Sequence, residues 1–393
     1  MTAVATRGLP RLLAGIDPGG DPLSLAEHEA IHGELPSLTT QQLLSLVHAG
    51  GLRGRGGADF PMAVKLRTVA QGRRRPGAVI VNGSETEPLS RKDATLLSRA
   101  PHLVLDGAVL AAEAVGAREV IVKLSDDADP GTIAIVEAAT SLRSGRGLRA
   151  SVAVGPAGYV TGEETAVINW IGREDARPTF VPPAPWERGY RGRPTLVQNV
   201  ETLAQLALLA RHGDGWFREL GTAADPGSLL LTVSGAVALP GVQEVAFGTS
   251  IGDVLAAAGG PVEPIQALLI GGYFGSWVRA PEALSLHISR DELRAAGCSL
   301  GAGVIVALPD TASGLVESAR IAAYLAGQSA GQCGPCVHGL AAIADEMHAI
   351  AGGDHRRRDR VMRWCQDLSG RGACHHPTGA ARFVQSALTV FDG

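Results

Sequence analysis

The stretch AVIVNGSETEPLSRKD, residues 78–93, decides the fold of this chain. It opens with a short apolar run that predicts a buried strand, and its polar loop leads into a long apolar-periodic stretch from Asp93 to Val115. Two more apolar runs, EVIVKL at 119–124 and ASVAVG at 150–155, follow on either side of a predicted helix near residues 131–142. Short buried strands that alternate with helices are typical of a doubly wound, Rossmann-like α/β layer.

The character of the chain changes on both sides of this layer. Residues 1–50 predict a polar, mostly helical lead-in, and residues 51–224 hold the α/β domain. Residues 225–312 carry a hairpin, a helix and further strands, which is the order of a small β-grasp domain. Residues 313–393 return to helical periodicity, so we expect a C-terminal helical bundle there.

Composition limits the classes of function. With 393 residues, 45% of them hydrophobic and 19% charged, the chain has the profile of an ordinary globular protein with two or three domains. The net charge of −4 gives no reason to expect binding to nucleic acid or to an anionic membrane surface. We expect neither a secretory signal nor a transmembrane helix, and therefore a cytoplasmic protein without direct membrane insertion.

A glycine-rich run, GLRGRGGADFPMAVK at 51–65, is the first segment suited to a ligand. Its close-spaced glycines let the backbone approach a ligand and present N–H groups to a phosphate. They are Gly54, Gly56 and Gly57. Arg55 and Lys65 add positive charge that suits a phosphorylated cofactor. A solvated turn before a helix is the alternative, and the dinucleotide pattern GxGxxG is not met because Asp59 stands at its last glycine.

Three further segments place polar side chains next to predicted strands or helix starts. They are VNGSETEPLSRKD at 81–93, GYVTGEETAVINW at 158–170 and GRPTLVQNVET at 192–202. Polar groups at the carboxyl end of a strand commonly face a ligand in α/β folds. Helix caps, acidic solvated loops and favourable charges at helix starts explain the same residues nearly as well.

The five cysteines are unevenly distributed. Cys333 and Cys336 are separated by two residues, and Cys374 follows further along the chain. Two thiolates at this spacing can bind one metal or two corners of a cluster, with a remote cysteine as a further ligand. A thioredoxin-like redox pair is the alternative, although no βαβ context surrounds it. Unreactive core thiols are the better interpretation of Cys298 and Cys365.

In this order, these motifs resemble one family, the flavoprotein subunit of respiratory complex I and its relatives in NAD-reducing hydrogenases and formate dehydrogenases. The family's G-R-G-G-A-G-F-P is similar to residues 54–61, and its N-A-D-E-S-E-P to residues 82–88. Its G-E-E-T, V-N-N-V-E-T and E-S-C-G-x-C-x-P-C resemble residues 162–165, 197–202 and 328–336. The resemblance covers roughly residues 45–390 and is loosest in the β-grasp segment.

The resemblance implies which residues bind the cofactors. FMN would be held by Gly54, Arg55, Gly56, Gly57, Lys65, Asn82, Glu85, Gly162, Glu163, Glu164, Gln198 and Asn199. Phe60, Glu87 and Tyr159 would face the dinucleotide. In this family no side chain is the catalyst, since the flavin accepts a hydride from the nicotinamide and releases electrons singly to an iron–sulfur cluster.

Several positions depart from the family pattern at the cofactor sites. Asp59 replaces a glycine and adds a negative charge beside a phosphate-bearing ligand, while Ser84 replaces an aspartate and Gln198 an asparagine. Thr68 and Ala184 stand where relatives carry phenylalanines that sandwich the adenine, which leaves only Phe60 of that aromatic set. We therefore expect the FMN site to be better preserved than the dinucleotide site.

The cluster segment departs further from the family. Ala330 stands in place of the first cysteine, so the metal ligands implied by the resemblance are Cys333, Cys336 and Cys374. Three thiolates suit a [3Fe–4S] cluster, or a [4Fe–4S] cluster with a non-cysteine fourth ligand, and loss of the cluster is the alternative. The candidates for a fourth ligand are Ser329, His338, Cys365, His375 and His376, besides a partner or solvent.

The resemblance as a whole predicts an NADH dehydrogenase: an FMN-dependent module that accepts hydride from NAD(P)H and passes electrons through an iron–sulfur cluster. The expected acceptor is a ferredoxin-like or thioredoxin-like [2Fe–2S] subunit or a membrane reductase, which leads into a quinone-linked chain. Peripheral attachment to the inner face of the membrane is compatible with this role. The rival hypotheses are a ferredoxin-linked flavoprotein that works in the reverse direction and a degenerate, non-catalytic scaffold subunit.

Overall fold

Four strands form a parallel sheet in the computed structural model, which describes residues 8–17, 20–72, 74–144 and 147–392. They are β1 (Ala78–Gly83), β2 (Glu119–Ser125), β3 (Arg149–Gly155) and β4 (Thr195–Asn199). The strand order is β3-β2-β1-β4, so the chain adds two strands on one side of β1 and then crosses to the other side. The switch point of such a sheet lies between β1 and β4, where ligands commonly bind at the carboxyl ends of the strands.

Nine helices in the described part of residues 8–224 accompany this sheet. They are α1 (Leu25–His32), α2 (Thr40–Gly50), α3 (Met62–Ala70), α4 (Lys92–Arg99), α5 (Pro101–Val115), α6 (Pro130–Ser141), α7 (Glu164–Arg173), α8 (Pro185–Arg188) and α9 (Val200–Arg218). The predicted lead-in shares the core of this region, since Leu12, Leu43 and Val47 are buried in one cluster with strand residues such as Val79 and Val81. The boundary at residue 50 therefore stays a prediction.

The long apolar stretch from Asp93 to Val115 folds as two helices rather than one. The break falls at Ala100, and Pro101 takes the first position of α5. Proline has no N–H to donate and clashes with the preceding turn inside a helix, but it is well placed at a helix start. Gly107 faces α9 so closely that an added Cβ would lie 1.9 Å from the carbonyl oxygen of Leu203. The helices α5 and α9 therefore pack closely against each other beside the parallel sheet.

A second, five-stranded sheet follows in residues 228–309. Its elements are β5 (Ser228–Gly235), β6 (Gly241–Ala246), α10 (Ile251–Ala257), β7 (Ile265–Ile270), β8 (Ser276–Arg279), α11 (Ala280–Ser285), α12 (Arg290–Ala295) and β9 (Val304–Pro309). The strand order is β6-β5-β9-β7-β8, with β5 and β9 parallel and the other pairs antiparallel. The hairpin, helix and later strands follow the predicted β-grasp order.

Helices make up the C-terminal region. They are α13 (Gly314–Gly327), a π-helical turn (Pro335–Leu340), α14 (Ala341–Ala351), α15 (Arg358–Leu368) and α16 (His376–Phe391). Met347, Phe383 and Leu388 are buried in their shared core. The π-helical turn carries Cys336, and such turns are frequent at functional sites. The parallel sheet, the mixed sheet and these helices agree with the predicted fold class.

Membrane insertion finds no support in the described helices. None of them combines the length and the apolar character that a bilayer span requires.

Candidate functional site

A cavity of about 580 Å³ opens at the switch point between β1 and β4. Its walls come from the glycine loop before α3, the ends of the two strands, the first turns of α7 and α9, and the segment before α16. Asn82 and Asn199 lie at equivalent register positions at the ends of the strands, so their side chains reach the same opening. The volume falls in the range of about 300–1,000 Å³ that cofactor sites occupy.

Ten of the fifteen predicted cofactor residues line this cavity. They are Gly54, Gly56, Phe60, Lys65, Asn82, Gly162, Glu163, Glu164, Gln198 and Asn199. These residues come from four separate motifs of the sequence, and the parallel sheet brings them together because all the motifs follow strands or precede helices at one edge. The predicted convergence of the motifs therefore agrees with the structure, while contact of each residue with a cofactor stays a prediction.

Lys65 is the cation of the cavity wall, and three elements hold it in place. It projects from α3, and its Nζ donates to the carbonyl oxygen of Val197 at 2.7 Å. The same nitrogen lies 2.8 Å from a carboxylate oxygen of Glu164. The side chain of Lys65 is 15% exposed, so this ammonium group is poorly screened by water. A fixed, weakly solvated positive charge suits a phosphate or another anionic group.

Two cavity residues also cap helices. Glu163 accepts hydrogen bonds from the N–H groups of Thr165 and Ala166 at the start of α7, at 2.9 and 3.1 Å. Asn199 accepts from the N–H of Glu201 at 3.0 Å at the start of α9. Burial raises the pKa of Glu163, although the helix N–H groups act in the opposite direction. Glu163 and Asn199 therefore each cap a helix and also line the cavity. The capping role and the ligand-facing role that the sequence suggested are compatible.

The glycine loop is closed and tied to the sheet by its backbone. The N–H of Gly54 donates to the carbonyl of Phe60 at 2.9 Å, and the N–H of Arg55 donates to the hydroxyl of Thr202 at 2.8 Å. Gly56 packs directly on Asn199, where an added Cβ would lie 3.0 Å from the Asn199 Cβ. Only glycine allows this approach without moving a neighbour, which gives the second glycine of the motif a physical reason.

Asp59, the departure from the family glycine, adopts a backbone φ of +47°. Aspartate tolerates this left-handed conformation better than most residues, so the loop keeps the shape that a glycine would give. Its carboxylate lies 3.1 Å from Arg53 and 3.2 Å from Arg290 of α12. The negative charge that the sequence places beside the ligand is therefore paired with arginines, and the pair with Arg290 joins the loop to the β-grasp region.

Five predicted cofactor residues lie off the cavity wall. They are Arg55, Gly57, Glu85, Glu87 and Tyr159. Arg55 and Gly57 line a second cavity of about 230 Å³ between the glycine loop and the β-grasp region. Glu85 caps α4, since its oxygens accept the N–H groups of Asp93 and Ala94 at 3.0 Å each. The sequence could not separate these roles because each residue belongs to a motif whose other members reach the cavity.

Glu87 and Tyr159, which the resemblance places beside the dinucleotide, do not line the large cavity, and their contact with a dinucleotide stays a prediction. Both are buried where the α/β, β-grasp and helical regions meet. Glu87 accepts the hydroxyl of Tyr159 and the N–H of Tyr273, each at 2.8 Å. Tyr159 contacts the rings of Phe274, Tyr324 and His376. Burial raises the pKa of Glu87 to about 7, against the lowering effect of the hydrogen bonds from Tyr273 and Tyr159.

Sequence reasoning missed two aromatic residues of the cavity. Phe180 and Trp186 both line it, on the segment that leads into α8 and on α8 itself. Phe180 is 67% exposed and Phe60 is 46% exposed, so the mouth of the cavity carries large apolar side chains in contact with water. Thr68 and Ala184, the positions of the missing family phenylalanines, are not on the wall. The sequence contained a clue to Trp186, since this aromatic residue lies two positions after Ala184, where relatives carry a phenylalanine.

The cavity residues fit a flavin mononucleotide. The backbone of Gly56 and the ammonium of Lys65, which both line the cavity, are suitable for a phosphate. The amide of Gln198 is buried and faces the opening, and aromatic rings stand at the mouth for a flat ligand. Gly162 packs closely on its neighbour, since an added Cβ would lie 2.7 Å from the side chain of Thr86.

The three predicted cluster cysteines come together next to this cavity. Cys333, Cys336 and Cys374 line one small space, although they come from the loop after α13, the π-helical turn and the loop before α16. Burial raises the pKa of Cys336 to about 12, and the neighbouring thiols of Cys374 and Cys333 contribute to the rise. Iron would reverse this effect because a bound metal deprotonates a thiol.

Three cysteine thiols around one space are a donor set that iron–sulfur clusters use. No group of three or more His, Cys, Asp or Glu side chains in the described ranges is arranged to hold one metal ion. Cluster corners lie further apart than the ligands of one ion, and each cysteine binds its own iron. The space among the thiols is about 10 Å³, and the adjoining loop at Gly370–Arg371 is exposed. The three thiols therefore lie beside an exposed loop, and they supply the donor atoms that an iron–sulfur cluster requires.

Cys374 is shared by the two sites. It lines both the large cavity and the space among the thiols, and its neighbour His375 lines the large cavity alone. Burial raises the pKa of Cys374, and the nearby carboxylate of Glu163 raises it further. A ligand in the large cavity and a cluster on the thiols would thus be separated by little more than one side chain.

Two family models match this chain in the regions that the motifs indicate. The Nuo51 FMN-binding domain matches residues 47–208, and the NADH-ubiquinone oxidoreductase-F iron-sulfur binding region matches residues 317–393. The first covers the glycine loop and the parallel sheet, and the second covers the three thiols. The matches confirm the predicted FMN-binding domain and the predicted iron–sulfur region.

Relatives extend the match over nearly the whole chain. The NADH-quinone oxidoreductase F 2 subunit of Rhizobium meliloti (strain 1021) is 31% identical over 97% of this chain and 96% of its own length. The NADH-quinone oxidoreductase F subunit of Streptomyces coelicolor (strain ATCC BAA-471 / A3(2) / M145) is 29% identical over 93% of this chain and 85% of its own length. The chain belongs to the family of NADH-quinone oxidoreductase F subunits.

A solved structure supports the same fold. A chain of an NAD+-reducing [NiFe]-hydrogenase in the H2-reduced state is 32% identical, with a TM-score of 0.83 over 90% of this chain. The present chain spans 62% of the length of that hydrogenase chain. The predicted family and fold class are both confirmed by these comparisons.

Proposed function

We propose that this chain is the NADH-oxidising flavoprotein module of an electron-transfer complex. The observation that carries the proposal is the position of Cys374, which lines both the flavin-sized cavity and the space among the three thiols. An electron leaving the cavity reaches the thiol site across a single side chain. A scaffold subunit would not require this adjacency, and family membership favours NADH over reduced ferredoxin as the donor.

The cavity would bind FMN with groups of known position. Lys65 and the backbone of Gly56 would lie at the phosphate-bearing end, and Asn82 and Gln198 would offer amides to the ring or the ribityl chain. When bound, FMN supplies the conversion of a two-electron hydride into single electrons. The residues themselves orient the ring, and the aromatic side chains at the mouth hold the nicotinamide dinucleotide and exclude water.

The thiol site would hold the cluster that receives these electrons. Cys333, Cys336 and Cys374 supply three thiolates, and the buried wall around Val160 and Pro377 keeps water from the sulfur atoms. Low access to water is one of the factors that set the reduction potential of a cluster. Val337, the residue after Cys336, is exposed, so a partner that accepts electrons would have access to the thiol site there.

A separate protein would take the electrons from this module. Subunits of an oxidoreductase of this family, with a thioredoxin-like or ferredoxin-like [2Fe–2S] protein as the first candidate, are the partners that the family relationship supports. We propose a location in the cytoplasm with peripheral attachment at the membrane through those subunits.

Anaerobic purification followed by cofactor analysis tests the proposal. We expect one FMN per chain, iron and sulfide in cluster stoichiometry, and rapid bleaching of the flavin absorbance by NADH in stopped flow. Reduced ferredoxin should bleach the flavin more slowly than NADH. A colourless protein that refuses FMN would contradict every enzymatic role, and a flavoprotein that ferredoxin reduces but NADH does not would reverse the direction.

A further inference from the structure

The thiol site lacks a fourth cysteine, and a buried histidine lines the same space. Ala330, at the place of the family's first cluster cysteine, lines the space with a methyl group that cannot bind iron. His376 lines the same space and is 2% exposed. It is the first residue of α16, two positions after Cys374.

One ring nitrogen of His376 is fixed by a hydrogen bond. Nε2 lies 2.8 Å from the carbonyl oxygen of Leu325 at the end of α13. A carbonyl oxygen can only accept, so Nε2 carries the proton. In the neutral ring, Nδ1 then carries a free lone pair.

The other ring nitrogen has no partner. Nδ1 of His376 is buried and makes no hydrogen bond to any described residue. Leaving a buried acceptor unsatisfied is unfavourable, so a native structure rarely keeps one without a purpose. A metal ligated by Nδ1 would satisfy it, and a histidine that binds a metal typically donates its other ring N–H to a backbone carbonyl, as Nε2 does here.

The backbone brings this ring to the thiols. His376 and Cys374 are two positions apart in the chain, and both line the thiol space. The ring is held from its other sides by Tyr159 and Phe274, with centroids 5.8 and 5.5 Å away. The imidazole is therefore held in one orientation by these two rings and by the hydrogen bond to Leu325.

The other candidates for the fourth ligand are placed less well. His338 is exposed and does not line the thiol space, His375 lines the large cavity, and Cys365 is fully buried in the helical core. Ser329 lines the space, but its hydroxyl accepts the N–H of Gly331 at 3.2 Å and is partly open to water. Among these five side chains, only His376 both lines the thiol space and has a buried polar atom without a hydrogen-bond partner among the described residues.

From these observations we infer that Nδ1 of His376 is the fourth ligand of a [4Fe–4S] cluster whose other ligands are Cys333, Cys336 and Cys374. The inference rests on the proposed function, since it requires that the thiols hold a cluster. A neutral imidazole in place of a thiolate makes the cluster less negative by one charge, and such a replacement raises the reduction potential.

Iron analysis and pulsed EPR on the anaerobically purified full-length protein test the inference. Wild type should contain about four irons per chain, and its reduced cluster should show a hyperfine coupling to nitrogen. His376→Leu should lose one iron, show the EPR signal of an oxidised three-iron cluster, and lose the nitrogen coupling. Ser329→Ala should match wild type in all three measurements.

A second variant separates ligation from folding. Ala330→Cys combined with His376→Leu restores the four-cysteine set, so it should regain the fourth iron without the nitrogen coupling and with a lower reduction potential than wild type. Failure of this double variant to regain the iron would assign the loss in His376→Leu to a structural defect and overturn the inference.

The remaining outcomes separate the inference from the proposed function. A four-iron wild type whose iron count and spectrum survive His376→Leu would overturn the inference alone. Loss of the fourth iron in Ser329→Ala, with the nitrogen coupling absent from wild type, would do the same. A wild type without iron would overturn the cluster in the proposed function as well.

Discussion

The large cavity and the thiol site are neighbours that share Cys374, yet they are built in opposite ways. Four motifs and twenty-five residues surround the cavity, and much of its surface is backbone held by strands and helix starts. The thiol site depends on three cysteine side chains and one imidazole. Loss of one contact weakens the first kind of site by a fraction of its binding energy, whereas loss of one ligand changes the chemistry of the second.

This difference explains where the chain departs from its family. The cavity accommodates Asp59 in place of glycine because Arg53 and Arg290 pair with the new charge. Its wall also includes two other aromatic residues, Phe180 and Trp186, although the family phenylalanines are missing from this chain. The thiol site has lost a cysteine at Ala330, and only a group placed to a fraction of an ångström could compensate. A cavity with many contacts can therefore tolerate several small substitutions, whereas a set of metal ligands changes only when one ligand replaces another.

Removing one thiol should have the largest effect of all. Cys336→Ser replaces a buried cluster thiolate with a hydroxyl that is a poorer iron ligand, so we expect loss of most of the iron with FMN retained. Cys298→Ser is the matched control, since Cys298 is buried outside the thiol site. Equal loss of iron in both variants, or loss of FMN with the iron, would break the contrast between the two sites.

The junction at Glu87 should respond to pH. Its pKa in the folded protein is raised to about 7 from 4.5, mainly by burial. Glu87 therefore favours folding fully below about pH 4.5, and this contribution is lost as the pH rises through about 7. A shift of this size corresponds to about 3 kcal/mol.

Glu87→Gln should remove that dependence while keeping an acceptor for Tyr159 and Tyr273. We expect the unfolding midpoint of the variant to exceed that of wild type at pH 8 and to approach it at pH 5. Thermal unfolding of FMN-loaded samples at several pH values measures the difference. A constant gap between the two proteins across this range would show that Glu87 is ionised in the junction throughout.

The ammonium of Lys65 should matter to FMN by a smaller amount. Lys65→Gln removes a charge-assisted contact to the phosphate, which is worth about 1.5–3 kcal/mol, or roughly ten- to a hundredfold in affinity. Arg67→Gln removes an equal charge from the exposed side of the same helix and serves as the control. Titration of the apoprotein with FMN measures both. Equal weakening would assign the effect to net charge rather than to the cavity.

Sequence reasoning predicted the backbone-built parts of the molecule. The runs around β1, β2 and β3 identify themselves by apolar periodicity, and the switch point follows from their connection. The glycine loop and Asn82 line the cavity because, in an open parallel sheet, ligands bind beyond the carboxyl ends of the strands at the switch point. Apolar periodicity alone did not show the break after Arg99, where Pro101 starts a new helix.

Side-chain roles within a motif could not be predicted in the same way. Glu85 and Asn82 stand three residues apart in one loop, yet Glu85 turns to cap α4 while Asn82 faces the cavity. Glu87 meets Tyr273, which lies far along the chain in the β-grasp region. The unpartnered Nδ1 of His376 depends on a hydrogen bond to Leu325 that no spacing reveals. These contacts are set by tertiary packing, which local patterns do not encode.

Truncating the aromatic side chains at the mouth of the cavity should have the smallest effect on binding. It also tests whether these side chains can substitute for one another. If Phe180 and Trp186 stack on the dinucleotide, truncating either to alanine should weaken NADH binding by about 0.5–1.5 kcal/mol, or roughly two- to tenfold. FMN affinity should stay unchanged because both side chains stand at the mouth. Leu142→Ala, at an equally exposed position outside the cavity, is the control. Additive losses in the double variant would mean that two independent platforms replace the missing phenylalanines. Unchanged NADH affinity in the double variant would leave Phe60 as the only stacking residue, and the dinucleotide site would then lack the redundancy that characterises the rest of the cavity.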